Sequence, residues 1–564
     1  MRTPVFLSVV AIAVCSLATP ADEPRPLSAA RLANATEVRQ QLGLLPEYRE
    51  LPGLNRLKVA VLDYGFDGIE SGRPYLPKNT VVVEHYDAGL VRRFGLGDPA
   101  YHKAFAPGNP HGRLMAQIIW AMTGFDPRGP QLYLLNANGP TMFRRAVRYA
   151  IEAHVNVILF SNVFEGGGNG DGWGPINQIV EPALNAGIIW INAAGNYGGC
   201  VYEGPVRVGT DDYLQFRADA DPTALRFRNR LDENTVTVTL TWNDYREKED
   251  AGTSKDLDLY VEDWAGHRLG ASELKQVPGS EPAHAGESHN PRERVVLTNL
   301  AAEPQRDYRI RIRARSQNFT AKDRIRVLVT AARESYPNPQ TGDAAAALRF
   351  VDASDKDEIY PPADNPRVLT VGDVSPASAV GPTADYRLKP EVVIEDSRAF
   401  FSDGSVTSGS SNAAAYFAGV VTVLKAAEPG LRTRHLLSLA YGSSATTATT
   451  TARTRAPVST STSSYGASTQ MFLPMPRKTG AVYPEGFGNA LARYRAAIPS
   501  TGRIPYPALR SSAAQSPRPT LGSSRELLPA PRPMLSSATA RAALRGKVWR
   551  TPTRQELAQI VRLR

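Results

Sequence analysis

Short apolar runs rich in Val and Ile recur through the first third of the chain, at residues 58–62, 80–84, 131–136, 155–161 and 188–193. Between them, at 111–124, 140–153 and 175–186, apolar positions return every three to four residues, the period of a helix face. Strands alternating with helices predict βαβ units and a parallel sheet covered on both faces. The period then changes. Residues 234–241, 257–262, 294–300, 307–314 and 324–331 alternate apolar and polar positions, with turn residues between them. That pattern predicts an antiparallel β-sandwich set into the parallel fold. A strand returns near 364–372, and a helix rich in Ala and Val begins at about 411 and is stopped by Pro429-Gly430. The fold class expected is therefore α/β: a doubly wound, mostly parallel sheet with an inserted antiparallel β-sandwich.

The remaining segments carry no such period. Residues 443–469 are almost all Ser, Thr and Ala, too poor in apolar side chains to pack a core. Beyond about 498, Pro, Ser and Arg dominate until a short helical pattern at 554–563. These changes divide the chain into 1–21, 22–56, 57–200, 201–335, 336–440, 441–480, 481–497 and 498–564. The first, with Arg2, an apolar run at 5–14 and small residues after it, reads as a secretory signal. The run is too short to span a membrane. Residues 22–56 read as an N-terminal extension in preference to a short pro-segment. The last stretch reads as a largely disordered basic tail.

At 564 residues the chain is too long for one ordinary core. Its formal net charge of +10 is modest for that length and gathers in the tail. Basic residues are not interleaved with aromatics, so nothing points to nucleic acid. With the signal removed, Cys200 is the only cysteine of the two in the sequence, and no intrachain disulfide is possible.

The chemistry collects at four places. Val59-Ala-Val-Leu-Asp-Tyr-Gly65 is a buried strand ending in Asp63, and Asn109-Pro-His-Gly-Arg-Leu-Met-Ala116 puts His111 at the start of an apolar helix. Ile188-Ile-Trp-Ile-Asn-Ala-Ala-Gly-Asn196 is a strand that ends toward Asn196. Thr407-Ser-Gly-Ser-Ser-Asn-Ala-Ala-Ala415 puts Ser411 where a loop enters a helix. In parallel sheets the chemistry gathers at the carboxyl ends of strands, where Asp63, Ser161 and Asn196 all fall. Ser411, where its loop enters the helix, meets the free N–H groups and positive end of the helix dipole, which favour an oxyanion. Each residue alone has a blander reading: Ser411 as a helix cap, His111 as a surface residue, Asp63 and Asn196 as turn residues.

The four local sequences, in the order Asp, His, Asn, Ser, resemble the subtilisin-like (subtilase) serine peptidases. The resemblance covers about 57–440 and 480–497. It implies a serine endopeptidase with Asp63, His111 and Ser411 as catalytic triad, Asn196 as oxyanion donor and Ser161 as a substrate-backbone contact. Leu240-Thr-Trp-Asn-Asp244, Asp256-Leu-Asp-Leu-Tyr260 and Asn290-Pro-Arg-Glu293 resemble the jelly-roll domains that accompany some bacterial subtilases. Gly486-Phe-Gly-Asn-Ala-Leu-Ala-Arg-Tyr494 resembles the motif that closes the subtilase core.

Several positions depart from the family. The family's Ser-x-Gly reads Ser161-Asn162-Val163 and runs into a glycine-rich loop, Glu165-Gly-Gly-Gly-Asn-Gly-Asp-Gly172. Arg113 stands where a small residue is usual, and Ala415 where proline is. The substrate implied is a protein or peptide, the enzyme a monomer, and its location secreted or in the periplasm or cell envelope. No cofactor is expected and no metal ligand is assigned. Asp256 and Asp258 are the candidates for a structural calcium, against the commoner reading of a solvated strand face. The alternative function is a catalytically inactive relative that binds peptides or surfaces. A nucleotide-binding α/β protein is disfavoured because Gly166-Gly-Gly168 has no following phosphate-binding lysine.

Overall fold

The computed structural model describes most of residues 32–441 and of 549–562; breaks in the first stretch include 96–108 and 333–347. The signal-like leader, the Ser/Thr-rich stretch, the Gly486–Tyr494 motif and most of the basic tail lie outside the described residues.

Eight strands form the central sheet, in the order Val392–Ile394, Leu369–Asp373, Ile189–Ala193, Val157–Phe160, Lys58–Asp63, Gln131–Asn136, Val81–Asp87 and Leu90–Gly95. Seven run parallel. The last pairs antiparallel with its neighbour. The predicted strand at 80–84 is one arm of this hairpin. The other arm is a sheet edge whose Arg92-Arg93 breaks the apolar signal.

Period two within each strand divides the sheet's two faces. Val59, Val61, Leu132, Leu134, Val157, Leu159, Ile189 and Ile191 pack on the side that holds the helices His111–Met122 and Ser410–Ala427. Ala60, Leu62, Leu135, Ile158, Phe160 and Trp190 pack on the other, against Gly139–Glu152 and Pro175–Asn185. Both faces are covered, as a near-continuous apolar strand requires. Parallel register sets Asp63 level with Asn136, and Phe160 level with Asn192, so the strand ends share one rim.

The middle of the chain is antiparallel. One sheet holds Arg292–Leu300, Asn234–Trp242, Arg324–Ala331 and Val201–Pro205. The other holds Arg268–Ser272, Leu257–Glu262, Tyr308–Ala314, Leu225–Asn229 and Leu348–Phe350. They close on a shared core that includes Val238, Leu240, Trp242, Leu259, Ile310 and Val327. This sandwich reaches past the expected end at 335: Leu348–Phe350 pairs with Leu225–Asn229 and buries Phe350.

The described segments 32–57 and 549–562 both pack onto the parallel-sheet core. The helix Ala35–Gln41 buries Val38, and Leu42, Leu44, Tyr48 and Leu54 continue into the same apolar cluster as the helix Ser410–Ala427. The short helix expected at 554–563 is present as Arg554–Arg562, packed against the core instead of solvated. Trp549 meets Phe417 edge-on at 4.8 Å, and the helix Arg554–Arg562 buries Leu557 and Ile560. Tyr48 donates its hydroxyl to the Pro552 carbonyl at 2.5 Å, and Thr551 N–H donates to the Leu42 carbonyl at 3.2 Å. Residues 42–48 and 549–552 thus clasp each other beside the helix that carries Ser411.

Candidate active site

Asp63 ends its strand fully buried. Its Oδ1 accepts the backbone N–H groups of Tyr64 and Gly65, at 2.8 and 3.0 Å. That fixes the carboxylate and leaves Oδ2 to accept from His111 Nδ1, 2.7 Å away. The approach needs the glycine after His111: a Cβ on Gly112 would lie 2.5 Å from Asp63 Cβ. Asn109 Oδ1 accepts the His111 backbone N–H at 3.0 Å, which orders the turn into the helix. Burial pulls the His111 pKa down, but the charge of Asp63 and the hydrogen bond to it push it up and prevail, so the imidazole titrates above its ordinary value. Arg113 does not face this pair. It is buried, with Nε donating to the Asp67 carbonyl at 2.8 Å and Nη1 to Gln117 Oε1 at 3.3 Å.

Ser411 is the second residue of the helix Ser410–Ala427. Its Oγ donates to the Ser161 carbonyl at 2.9 Å, and among the described residues no hydrogen bond joins it to His111. Beside it, Ser410 donates both its backbone N–H and its hydroxyl to Asn196 Oδ1, at 3.1 and 2.9 Å. The amide oxygen of Asn196 is thereby engaged, and its NH₂ is the end left to donate. The structure brings Asp63 and His111 together, and Ser411 beside Ser161. It ties Asn196 to the residue preceding Ser411. The hydroxyl of Ser161 is buried without a hydrogen-bond partner among the described residues; its carbonyl, not its side chain, meets Ser411.

Sequence reasoning missed three supports. Asn162 Nδ2 donates to Asp63 Oδ2 at 3.4 Å, beside the histidine. Asn192 Nδ2 donates to the Asn162 carbonyl at 2.9 Å, and Trp190 Nε1 to Asn192 Oδ1 at 3.1 Å, a chain of bonds leading from the sheet to Asp63. Ser410 orients Asn196. The signal for Asn162 was its place directly after Ser161. Far from this rim, Asp258 accepts from the Tyr260 hydroxyl at 2.7 Å and lies 3.3 Å from Arg315 Nε. A cation already faces that carboxylate.

A model of the subtilase family of peptidases matches residues 55–468. The chain belongs to the subtilase family. No curated protein matches it. Among solved structures, it is similar to the CspB protease of Clostridium perfringens at 14% identity, over 69% of this chain and 87% of that one, with a TM-score of 0.41. It is also similar to MycP1 of Mycobacterium smegmatis at 14% identity, over 75% and 81%, with a TM-score of 0.30. Membership makes this a serine-type peptidase, with a peptide or protein as substrate. Among the described residues no helix is long and apolar enough to cross a membrane.

Proposed function

We propose that this subtilase is an exported endopeptidase in which Ser411 is the nucleophile, His111 the general base and acid, Asp63 its orienting partner and Asn196 an oxyanion donor. The observation that carries the reading is the 2.7 Å bond from His111 Nδ1 to a carboxylate whose other oxygen is held by two backbone amides. It sets the proton on Nδ1 and leaves Nε2 as the basic nitrogen. The Ser411 hydroxyl turns from the Ser161 carbonyl to Nε2 as substrate binds, since such bonds often form only in the complex. That turn frees the Ser161 carbonyl to accept a substrate backbone N–H. Oγ attacks the scissile carbonyl, its proton passes to His111, and Asn196 donates to the oxyanion. His111 then protonates the leaving amine, and water repeats the sequence on the acyl-enzyme.

Labelling with a fluorophosphonate tests the nucleophile. Wild-type protein should label and Ser411→Ala should not. Cleavage of internal bonds in an unfolded protein substrate tests endopeptidase action. The orientation of Ser411 toward Ser161 favours a second reading, an inactive binding relative, and a folded wild-type protein that does not label would select it. Export rests on the leader-like residues 1–21, and N-terminal sequencing of the cell-free or periplasmic protein checks it.

A further inference from the structure

Arg326 belongs to the sandwich strand Arg324–Ala331, yet its guanidinium is buried against the peptidase core. Nη2 donates to the Gly168 carbonyl and Nη1 to the Ile359 carbonyl, each at 3.1 Å. The carboxyl of Asp357 lies 3.6 Å from Nη1, and the Tyr360 ring stacks on the guanidinium at 4.4 Å. Arg326 is one of several ties from the sandwich to the loop 165–174. Asn169 and Tyr245 exchange two bonds, Asn169 Nδ2 to the Tyr245 carbonyl at 3.0 Å and Tyr245 N–H to Asn169 Oδ1 at 2.9 Å. Thr239 Oγ donates to Glu165 Oε2 at 3.2 Å.

The loop these ties hold leaves the strand end that forms the candidate site. Ser161, whose carbonyl meets Ser411, and Asn162, which meets Asp63, stand just ahead of it. Gly167, Gly170, Gly172 and Gly174 all have positive φ. A segment so rich in glycine has few conformational preferences of its own; besides the bond from Asn169 N–H to the Trp173 carbonyl at 3.2 Å, its order comes from what it packs on. At Gly170 a Cβ would come within 2.9 Å of Asp357 Oδ1 and 3.2 Å of Arg326 Nη1, so the backbone itself is pressed on that pair.

We propose that Arg326 is a positioning residue for substrate: it fixes the loop 165–174, and through it the Ser161–Asn162 strand end, in the register that binds an extended peptide. The sandwich is then part of the cleft wall. This rests on the peptidase reading of Ser411. A probe that engages only the nucleophile depends little on that wall, whereas a peptide filling several subsites depends on it directly.

The experiment compares wild type, Arg326→Met and Asn169→Ala in the full chain. Two quantities are measured: the fluorophosphonate labelling rate, and kcat/KM for a chromogenic peptide amide of four residues against one of a single residue. Misplacing a binding wall by an ångström costs up to about 100-fold. Both variants should lose about tenfold or more in kcat/KM on the long peptide, chiefly through KM, and less than about twofold in labelling. Arg326→Lys, which keeps the charge but not the two-pronged fork, should recover only part of the loss. Equal losses on both peptides, or an unchanged ratio in either folded variant, would overturn the proposal. Asn169→Ala removes no buried charge, so it decides the matter if Arg326→Met does not fold. Absence of labelling in the wild type would instead overturn the peptidase reading, and this inference with it.

Discussion

Replacing Asp63 by asparagine probes the site at its most constrained point. Oδ1 of Asp63 is held by two backbone donors, the N–H groups of Tyr64 and Gly65. Those donors need an oxygen, so the amide in Asp63→Asn keeps its oxygen there and turns its NH₂ toward His111. The histidine then meets a donor where it met an acceptor 2.7 Å away. Nδ1 must accept, the proton moves to Nε2, and the nitrogen proposed to take the Ser411 proton can no longer do so. Asn162 Nδ2 donates to the same Oδ2 at 3.4 Å, a long bond that the substitution gives up; the two shorter bonds from the Tyr64 and Gly65 N–H groups, at 2.8 and 3.0 Å, hold the amide oxygen on their side. Side-chain volume hardly changes; tautomer and charge do.

The expected loss is about 10⁴ in kcat, the size found when a triad histidine is held in the wrong tautomer. That corresponds to about 5 kcal/mol of barrier. A second signature is independent of the first. In the wild type, burial lowers the His111 pKa and Asp63 raises it further than burial lowers it. Activity needs neutral His111, so kcat/KM should fall as pH drops through a pKa above 6.5. Without the carboxylate only burial remains, and the acid limb of the residual activity should move to lower pH. The assay is kcat/KM on a chromogenic peptide from pH 5 to 9, with circular dichroism to show that the fold is kept. A loss of less than about tenfold, or an acid limb that stays in place, would refute the assignment of Asp63 and His111.

Three further outcomes are expected. Ser411→Ala should lower kcat by about 10⁶ and abolish fluorophosphonate labelling; residual labelling would place the nucleophile elsewhere. Trp549→Ala removes a buried indole packed on Phe417 and should cost about 3–5 kcal/mol in urea unfolding, against almost nothing if the chain terminus were solvated. Burial pushes the Asp357 carboxyl up to about 8, outweighing the neighbouring Arg326. The folded protein then keeps a proton that the unfolded chain releases near pH 4, so this group's stabilisation should be lost as pH rises from about 4 to about 8. Asp357→Asn should flatten that slope in denaturation curves, and an unchanged slope would show that Asp357 is ionised in the folded state.

Which parts of this arrangement are legible in the sequence follows from how far each signal reaches along the chain. Asp63 and Ser161 are readable because a buried parallel strand is an unbroken apolar run, and its end is where the polar residue appears. His111 and Ser411 are readable because each opens an apolar helix. Asn162 carries only its place directly after Ser161: its role depends on the distance to Asp63, which the sheet sets and the local pattern does not. The same holds where residues 42–48 meet 551–562. Residues 554–562 read Arg-Gln-Glu-Leu-Ala-Gln-Ile-Val-Arg, a short amphipathic turn that suits a solvated helix equally well until Leu42 and Tyr48 are brought to Thr551 and Pro552. Leu348–Phe350 is three residues long, too short to show a period.

Arg326 goes further, because the local pattern there points the wrong way. In Arg324-Ile-Arg-Val-Leu-Val-Thr-Ala331 the two arginines alternate with buried Ile325 and Val327, which reads as one apolar and one wet face. Arg324 follows that reading, its side chain about one-third exposed. Arg326, on the same face, is nearly as buried as the core, because here that face meets the peptidase core instead of water. A buried arginine costs more than the strand itself recovers unless its donors are filled, and Gly168 and Ile359 fill two of them. Alternation thus identifies the side of the sheet but not what lies against it. An arginine that breaks the rule marks where the sandwich and the peptidase core are joined.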